Sequence, residues 1–393
     1  MSTDSIPRPP SADFRAAWLL RQNGCAGALA SATATRLQPV TIGVLPGEGI
    51  GPEVIAAALC VLRALESASS LRCQVETGGR IGMTALRADG RALSDKVVRF
   101  CESIFKSRGA VLAGPGGGRF VYEMRRQFDL YCKLNPLVPR DEIRNAGRMK
   151  PEHTCHVDVL IVRENSAGIY QGASDETTDI EGRRVASHSF AYTEEQVARI
   201  VKVAAALAQE RRGDLAVVTK PHGIPAASRL WSDVARETAS EYSVNLRELE
   251  IDYAVFHLLQ CPQMFDVIVA PNLFGDVLSD VGGVLLGSRG LCYAGSFSDD
   301  GAAVYQTNHG AAHDLAGTDR ANPVAQIFSL AMLLRESFGC TREAALIEQA
   351  VGDVWREGFR THDLVETGCH LVGTHEMSTR IADRVVSLAK RQG

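Results

Sequence analysis

The sequence predicts an α/β protein of more than one domain, on three observations. β-rich runs alternate with helix-length apolar segments along the chain, which is the pattern of an α/β architecture. The chain has 393 residues, 45% hydrophobic and 22% charged, enough to bury a full core and to form two domains rather than one. The first ordered element, near residue 40, reads strand, glycine turn, helix. This composition excludes disorder as the main state.

Residues 1–38 are rich in Ser, Ala, Thr and Arg, carry Pro9-Pro10 and show no periodicity, so a flexible extension is predicted there. Arg8, Arg15, Arg21 and Arg36 give it some likeness to a transit peptide to the mitochondrial matrix. Asp4 and Asp13 count against that, and a plain leader on a cytoplasmic protein is the simpler reading. Order begins with a strand at Pro39–Leu45. It ends in Gly47-Glu48-Gly49-Ile50-Gly51-Pro52 and continues as a helix to about Leu65, with Pro52 suited to the first helical position. Further strands are predicted at Gly109–Ala113, Val157–Val162, Leu215–Thr219 and Phe265–Ala270.

Several function classes fall away on composition. The net charge is −4 with no long basic run, so nucleic acid is not an expected partner. The longest wholly apolar run, Val54–Leu62, has nine residues, against about 20 for a membrane span. Ten cysteines lie mostly in apolar stretches without a Cys-x-x-Cys pair, which suits reduced thiols inside a cell. No His-Glu-x-x-His spacing occurs, which disfavours a zinc hydrolase.

Four constellations could carry chemistry. The turn at Gly47, Gly49 and Gly51 brings backbone N–H groups to a helix start, but Gly-x-Gly-x-Gly followed by proline is not the Rossmann fingerprint, and a ligand-free tight turn suits it equally well. Asn272–Asp280 places Asp276 and Asp280 four apart, on one face of a helix, where a hard divalent ion such as Mg²⁺ or Mn²⁺ would offset their repulsion; a solvated acidic face is the alternative. Arg125, Arg126, Arg163 and Lys220 could grip carboxylates or serve as a base, and Tyr170 beyond a glycine bend could donate a proton, though each alone is commonly structural. The loop His309–Gly317, followed by Asn322-Pro323, could wrap a nucleotide. Asp314 would then accept from a ribose diol and repel a 2′-phosphate, favouring NAD over NADP; an ordinary loop is the other reading.

Taken in order, these segments resemble the β-decarboxylating dehydrogenases, the isocitrate/isopropylmalate dehydrogenase family, over roughly residues 40–385. The residues that carry the resemblance are Gly-Glu-Gly-Ile-Gly-Pro-Glu-Val at 47–54, Val-Arg-Glu-Asn at 162–165 with Tyr170, Phe-Asp-Val-Ile-Val at 265–269, Asn272–Asp280 and His309–Gly317. The cofactor motif is most like that of NAD-dependent 3-isopropylmalate dehydrogenases.

The resemblance implies a two-domain fold distinct from Rossmann enzymes. Residues 39–130 and 287–393 would form the first, cofactor-binding domain, and residues 131–286 the second, which would carry metal, catalysis and dimer contacts. It implies a homodimer with shared active sites. Arg125 and Arg163 would hold the departing carboxylate. Asp276 and Asp280 would bind the metal with Asp252 of the partner, Lys220 of the partner would be the base, and Tyr170 the acid. Asp314 would stand where NAD-using members carry an acid, His309 and Asn322 around the adenine, and Gly310 would be a further cofactor-binding position. Oxidative decarboxylation of a malate-like 2-hydroxy acid follows, with 3-isopropylmalate or another 3-substituted malate as substrate.

Four positions depart from the family pattern: Glu48 for aspartate, Asn135 for a carboxylate-gripping arginine, His222 for an asparagine near the nicotinamide and substrate, and Gln306 for glutamate. Lys133 lies near Asn135 but is expected at a different side-chain phase. Asn135 and His222 are retained as substrate-site positions, and residues 119–124 fall where the family reads the third substituent. The alternatives are a non-catalytic regulatory or ligand-binding paralogue, a malate/tartrate-type enzyme, and a dehydrogenase that oxidises without losing CO₂.

Overall fold

A ten-stranded mixed sheet organises the chain in a computed structural model that describes residues 39–392. The predicted extension, residues 1–38, lies outside the described residues. Fourteen strands follow in chain order among the described residues: β1 Val40–Leu45, β2 Cys73–Thr77, β3 Ala110–Ala113, β4 Cys132–Leu137, β5 Val159–Glu164, β6 Ala173–Thr178, β7 Arg184–Ser189, β8 Asp214–Thr219, β9 Asn245–Glu250, β10 Val267–Ala270, β11 Tyr293–Phe297, β12 Ala303–Thr307, and the short pair β13 Phe359–Arg360 and β14 His370–Leu371. The large sheet runs β2-β1-β3-β12-β11-β4-β5-β10-β8-β9, while β6 and β7 pair separately as an exposed hairpin. Every predicted strand is present, shifted by two residues or fewer at its ends.

The first five strands in that order come from residues 39–130 and 287–393, and the other five from 131–286. They meet where β11 pairs antiparallel with β4. Pairing is parallel elsewhere except for β11 with β12 and β4 with β5. Strands β3 and β10 are buried at every position, as expected of strands covered on both faces.

The covering helices follow from local sequence. Gly51–Ala68 begins at the glycine turn with Pro52 in its first turn and packs on Thr374–Gln392 and Val324–Phe338. Glu194–Gln209 opens with a capping box between Thr193 and Gln196 and lays its apolar face on β5, β8 and β10. Asn272–Leu286 packs on β4 and β5. Because β5, β10 and β8 are parallel neighbours, their C-terminal ends share one edge, where open α/β sheets place ligands. Arg163 is the penultimate residue of β5, Asn272 follows β10, and Lys220 follows β8.

Candidate active site

Arg163 is the centre of the arrangement. It is 1% exposed, and its guanidinium donates from Nε and Nη2 to Asn272 Oδ1 at 3.1 and 2.8 Å and pairs through Nη1 with Asp276. Asn272 is itself fixed: its side-chain nitrogen donates to the Ala167 carbonyl at 2.7 Å, and its backbone N–H donates to Tyr192 Oη at 3.0 Å. Gly275 makes this packing possible. A Cβ there would lie 2.6 Å from Arg163 Cγ and 2.7 Å from its Cβ, so the arginine stem occupies the space of the missing side chain.

Tyr170 reaches the same carboxylate from the other side, its hydroxyl donating to Asp276 Oδ2 at 2.9 Å. It sits in a short 3₁₀ turn after Gly168, whose φ of +74° and whose approach to Tyr192 Oη, 1.9 Å from a built Cβ, exclude any side chain. Burial, then the charge and hydrogen bond of Asp276, pushes the Tyr170 hydroxyl up to about 12. It therefore holds its proton at neutral pH. Burial pushes Asp276 upward, but Arg163, the Tyr170 hydrogen bond, Lys133 and Arg125 together hold its carboxyl below the usual range.

Two further cations face this group. Arg125, in the last turn of the helix Phe120–Gln127, is 8% exposed; burial and the like charge of Arg163 disfavour its charged form, yet arginine keeps its proton and the cost remains as electrostatic strain. Lys133 corrects the expectation of a different phase. It stands on β4 directly across from Arg163 on β5, two residues before Asn135, hence on the same face of the sheet as both. Asn135 is fully buried; its nitrogen donates to Ser279 Oγ at 3.2 Å, and as a neutral amide it brings no charge to a carboxylate.

Lys220 and Asp252 form a separate cluster. Lys220 Nζ donates to Asp252 Oδ1 at 2.5 Å and to Glu250 Oε2 at 2.7 Å, and these hydrogen bonds raise its pKa, so within one chain it is a paired ammonium. No hydrogen bond or ion pair joins either residue to Arg163, Tyr170, Asp276 or Asp280 among the described residues. His222 is exposed. Asp280, one turn beyond Asp276, bonds Arg289 through both oxygens at 3.2 Å. No group of three metal-ligating side chains exists among the described residues of one chain. Asp276 and Asp280, one turn apart, offer oxygen donors of the kind a hard divalent ion takes, and the third predicted ligand, Asp252, does not join them within one chain.

The glycine turn and the histidine loop meet. The Ile50 N–H donates to the Ala311 carbonyl at 2.8 Å, and Gly49, at φ +57°, comes so close that a Cβ would sit 1.9 Å from that oxygen. Glu48, 4% exposed, acts as a latch, accepting from Thr84 Oγ1 and the Gly117 N–H, both at 2.7 Å, and from the Thr84 N–H. The longer side chain thus ties three segments together. In the loop itself, burial lowers the His309 pKa, Nδ1 lies 3.0 Å from the Gly310 carbonyl, and Nε2 is buried with no partner. That nitrogen is an open polar contact for a ligand. Asp314 and Gly310 are exposed, whereas Asn322 donates to Asp363 at 3.0 Å and accepts from the Val324 N–H at 3.0 Å.

Sequence reasoning missed Asn272 as the clamp on Arg163, Tyr192 as its support, and the phase of Lys133. The first was visible as the opening residue of the acidic helix; the last needed only period-two counting from Asn135, had 132–137 been read as a strand.

The sequence profile of the isocitrate/isopropylmalate dehydrogenase family matches residues 41–381. The 3-isopropylmalate dehydrogenase of Carboxydothermus hydrogenoformans is 37% identical over 363 residues, covering 88% of this chain and 95% of its own. That of Geobacillus kaustophilus is 38% identical over 359 residues, again covering 88% and 95%. Among solved structures, isocitrate dehydrogenase from Methylococcus capsulatus superposes with a TM-score of 0.78 at 30% identity, covering 88% of this chain and 99% of that one.

Proposed function

The chain belongs to the isocitrate/isopropylmalate dehydrogenase family and is a β-decarboxylating hydroxy-acid dehydrogenase, and on that premise we propose that it oxidises and decarboxylates a 3-substituted malate with NAD and Mg²⁺ or Mn²⁺. The observation that carries this reading is the convergence of Arg163 and the proton-bearing Tyr170 on Asp276, one helical turn from Asp280.

In this reading Arg125 and Arg163 orient the carboxylate that leaves, using charge-assisted hydrogen bonds in a site largely closed to water. Asp276 and Asp280 would hold the divalent ion, which when bound would supply a Lewis acid for the substrate oxygens. His309, Gly310, Asp314 and Asn322 would hold NAD, which when bound would supply the hydride acceptor. Lys220 removes the hydroxyl proton. Tyr170 holds the proton that the enol carbon requires after CO₂ leaves, and its raised pKa keeps that proton in place until then.

The site is completed by a second copy of the chain. Two facts support this: Asp252 and Lys220 stand apart from Asp276 and Asp280 in one chain, and the helices that bear the aspartates expose large apolar side chains, Tyr253 at 47%, Phe256 at 61%, Val277 at 41% and Val284 at 42%. The two halves of the sheet serve as cofactor-binding and catalytic domains with the boundaries at 39–130 with 287–393 and 131–286. We assign the protein to the cytoplasm, in keeping with the nine described cysteines, all free thiols; among the described residues no helix is long and apolar enough to cross a membrane.

The test is a screen for NADH and CO₂ formation with Mn²⁺ across 3-isopropylmalate, isocitrate, homoisocitrate, malate and tartrate. One member should give both products, and chelation should abolish them. Lys220→Met should remove turnover and leave NAD binding intact. NADH without CO₂, or no turnover on any member, refutes the proposal.

A further inference from the structure

Two buried cations at the site have no directly bonded anion among the described residues. Among the described residues, neither Lys133, 4% exposed, nor Arg125 makes an ion pair or a side-chain hydrogen bond; Arg125 has only the Tyr122 ring, 5.5 Å away. Arg163 is already committed to Asn272 and Asp276, and Asp280 to Arg289. Asp276, Asp280 and Glu164 act on Lys133 and Arg125 only through space, each being bonded elsewhere, so two of the three buried cations lack a direct partner.

We propose that Lys133 binds a carboxylate of the substrate, together with Arg125, taking over from position 135, where this chain carries a neutral asparagine. The inference rests on the proposed function and narrows its site: an acid with two carboxylates, one of them held by an ammonium.

The register supports the exchange. Lys133 and Asn135 share one face of β4, separated by about 7 Å along the strand, a displacement that the long flexible lysine stem is suited to cover. Lys133 lies across from Arg163 on one side and from Ser296 on the other, so its backbone is fixed by both neighbouring strands. Asn135 is turned to Ser279, on the helix of the aspartates, and does not compete. An ammonium is a point charge where a guanidinium is a fork, so the carboxylate is held by charge with little demand on its orientation. Burial and the neighbouring arginines disfavour the charge of Lys133, and a carboxylate bound beside it would favour that charge.

The experiment uses the full-length protein with Mn²⁺, NAD and whichever malate of the screen the wild type turns over best. Lys133→Met should raise KM for that malate about 30-fold or more, change KM for NAD less than twofold, and leave the melting temperature equal or higher, since a buried unpaired charge is removed. Lys133→Arg should stay within about fivefold of wild type. Adding Asn135→Arg to Lys133→Met should restore KM to within about tenfold. Should Lys133→Met fold poorly, Lys133→Gln carries the same expectation. A wild-type KM in Lys133→Met, or a double variant no better than the single one, overturns the assignment of Lys133 while leaving the enzyme's reaction intact. A wild type that turns over no malate is a different failure, of the proposed function.

Discussion

Gly275→Ala sets two effects of known sign against each other. Alanine in a helix is more stable than glycine by about 0.5–1 kcal/mol, so at an indifferent site the change raises stability. Here the new methyl group would sit 2.6 Å from Arg163 Cγ and 2.7 Å from Arg163 Cβ. Restoring an ordinary carbon–carbon contact of about 3.5 Å needs a shift of roughly 1 Å. The atoms to be moved are the root of a side chain that is 1% exposed and fixed at its far end by Asn272 and Asp276, so they cannot swing aside. Overpacking of this kind costs about 1–3 kcal/mol, and net destabilisation of about 0–2.5 kcal/mol is expected. The larger effect is on turnover, because a 1 Å displacement of a positioning group costs about 10²-fold. The assay pairs thermal unfolding with kcat/KM on the malate identified by the screen. Gly352→Ala is the control: there the new methyl meets Glu142 Oε1 at 2.8 Å and Arg356 Nη2 at 3.3 Å, tips of side chains that can yield, so stability should hold or rise with kcat/KM unchanged. A Gly275→Ala protein with a raised melting temperature and wild-type kcat/KM would refute the view that Gly275 exists to seat Arg163.

Glu48→Gln should cost about 1–2 kcal/mol at pH 7, since it replaces a buried carboxylate that accepts from Thr84 and Gly117. Although burial pushes it up, those hydrogen bonds hold the Glu48 carboxyl below its ordinary value of 4.5, so its contribution is complete above that pH and lost as pH falls through the lowered value. Denaturant unfolding at pH 7 and pH 3.5 should show wild type and variant converging in acid; a widening gap would have the sign wrong. Tyr170→Phe should lower kcat about 10²-fold or more, with folding retained, read from steady-state CO₂ release beside circular dichroism; full activity removes Tyr170 from the reaction. Asp314→Lys should move the ratio of kcat/KM toward NADP, because an exposed lysine attracts the 2′-phosphate that the aspartate repels. An unchanged ratio places cofactor discrimination elsewhere.

What could be read from sequence and what could not divides along the range of the contacts involved. The acidic helix was legible because its information is local: Asp276 and Asp280 are four residues apart, and a helix puts them on one face whatever surrounds it. The strand–turn–helix at 40–68 was legible for the same reason, through Pro52 and the glycines. Strand β4 was not. Buried at all six positions and carrying Pro136, Cys132–Leu137 shows neither the alternation of a half-exposed strand nor the composition of a central one. Without a recognisable strand the sequence offers no period of two, and the side-chain phase of Lys133 cannot be read from it. The chain's departure at Asn135 then reads as a lost grip on a carboxylate. Once antiparallel pairing sets Lys133 opposite Arg163, the same departure reads as a charge kept on the same face and moved along it. Loss and relocation differ only in register, a property of two strands in which Lys133 and its partner Arg163 are 30 positions apart in the chain, so a motif-by-motif reading finds the change at 135 and overlooks the cation beside it.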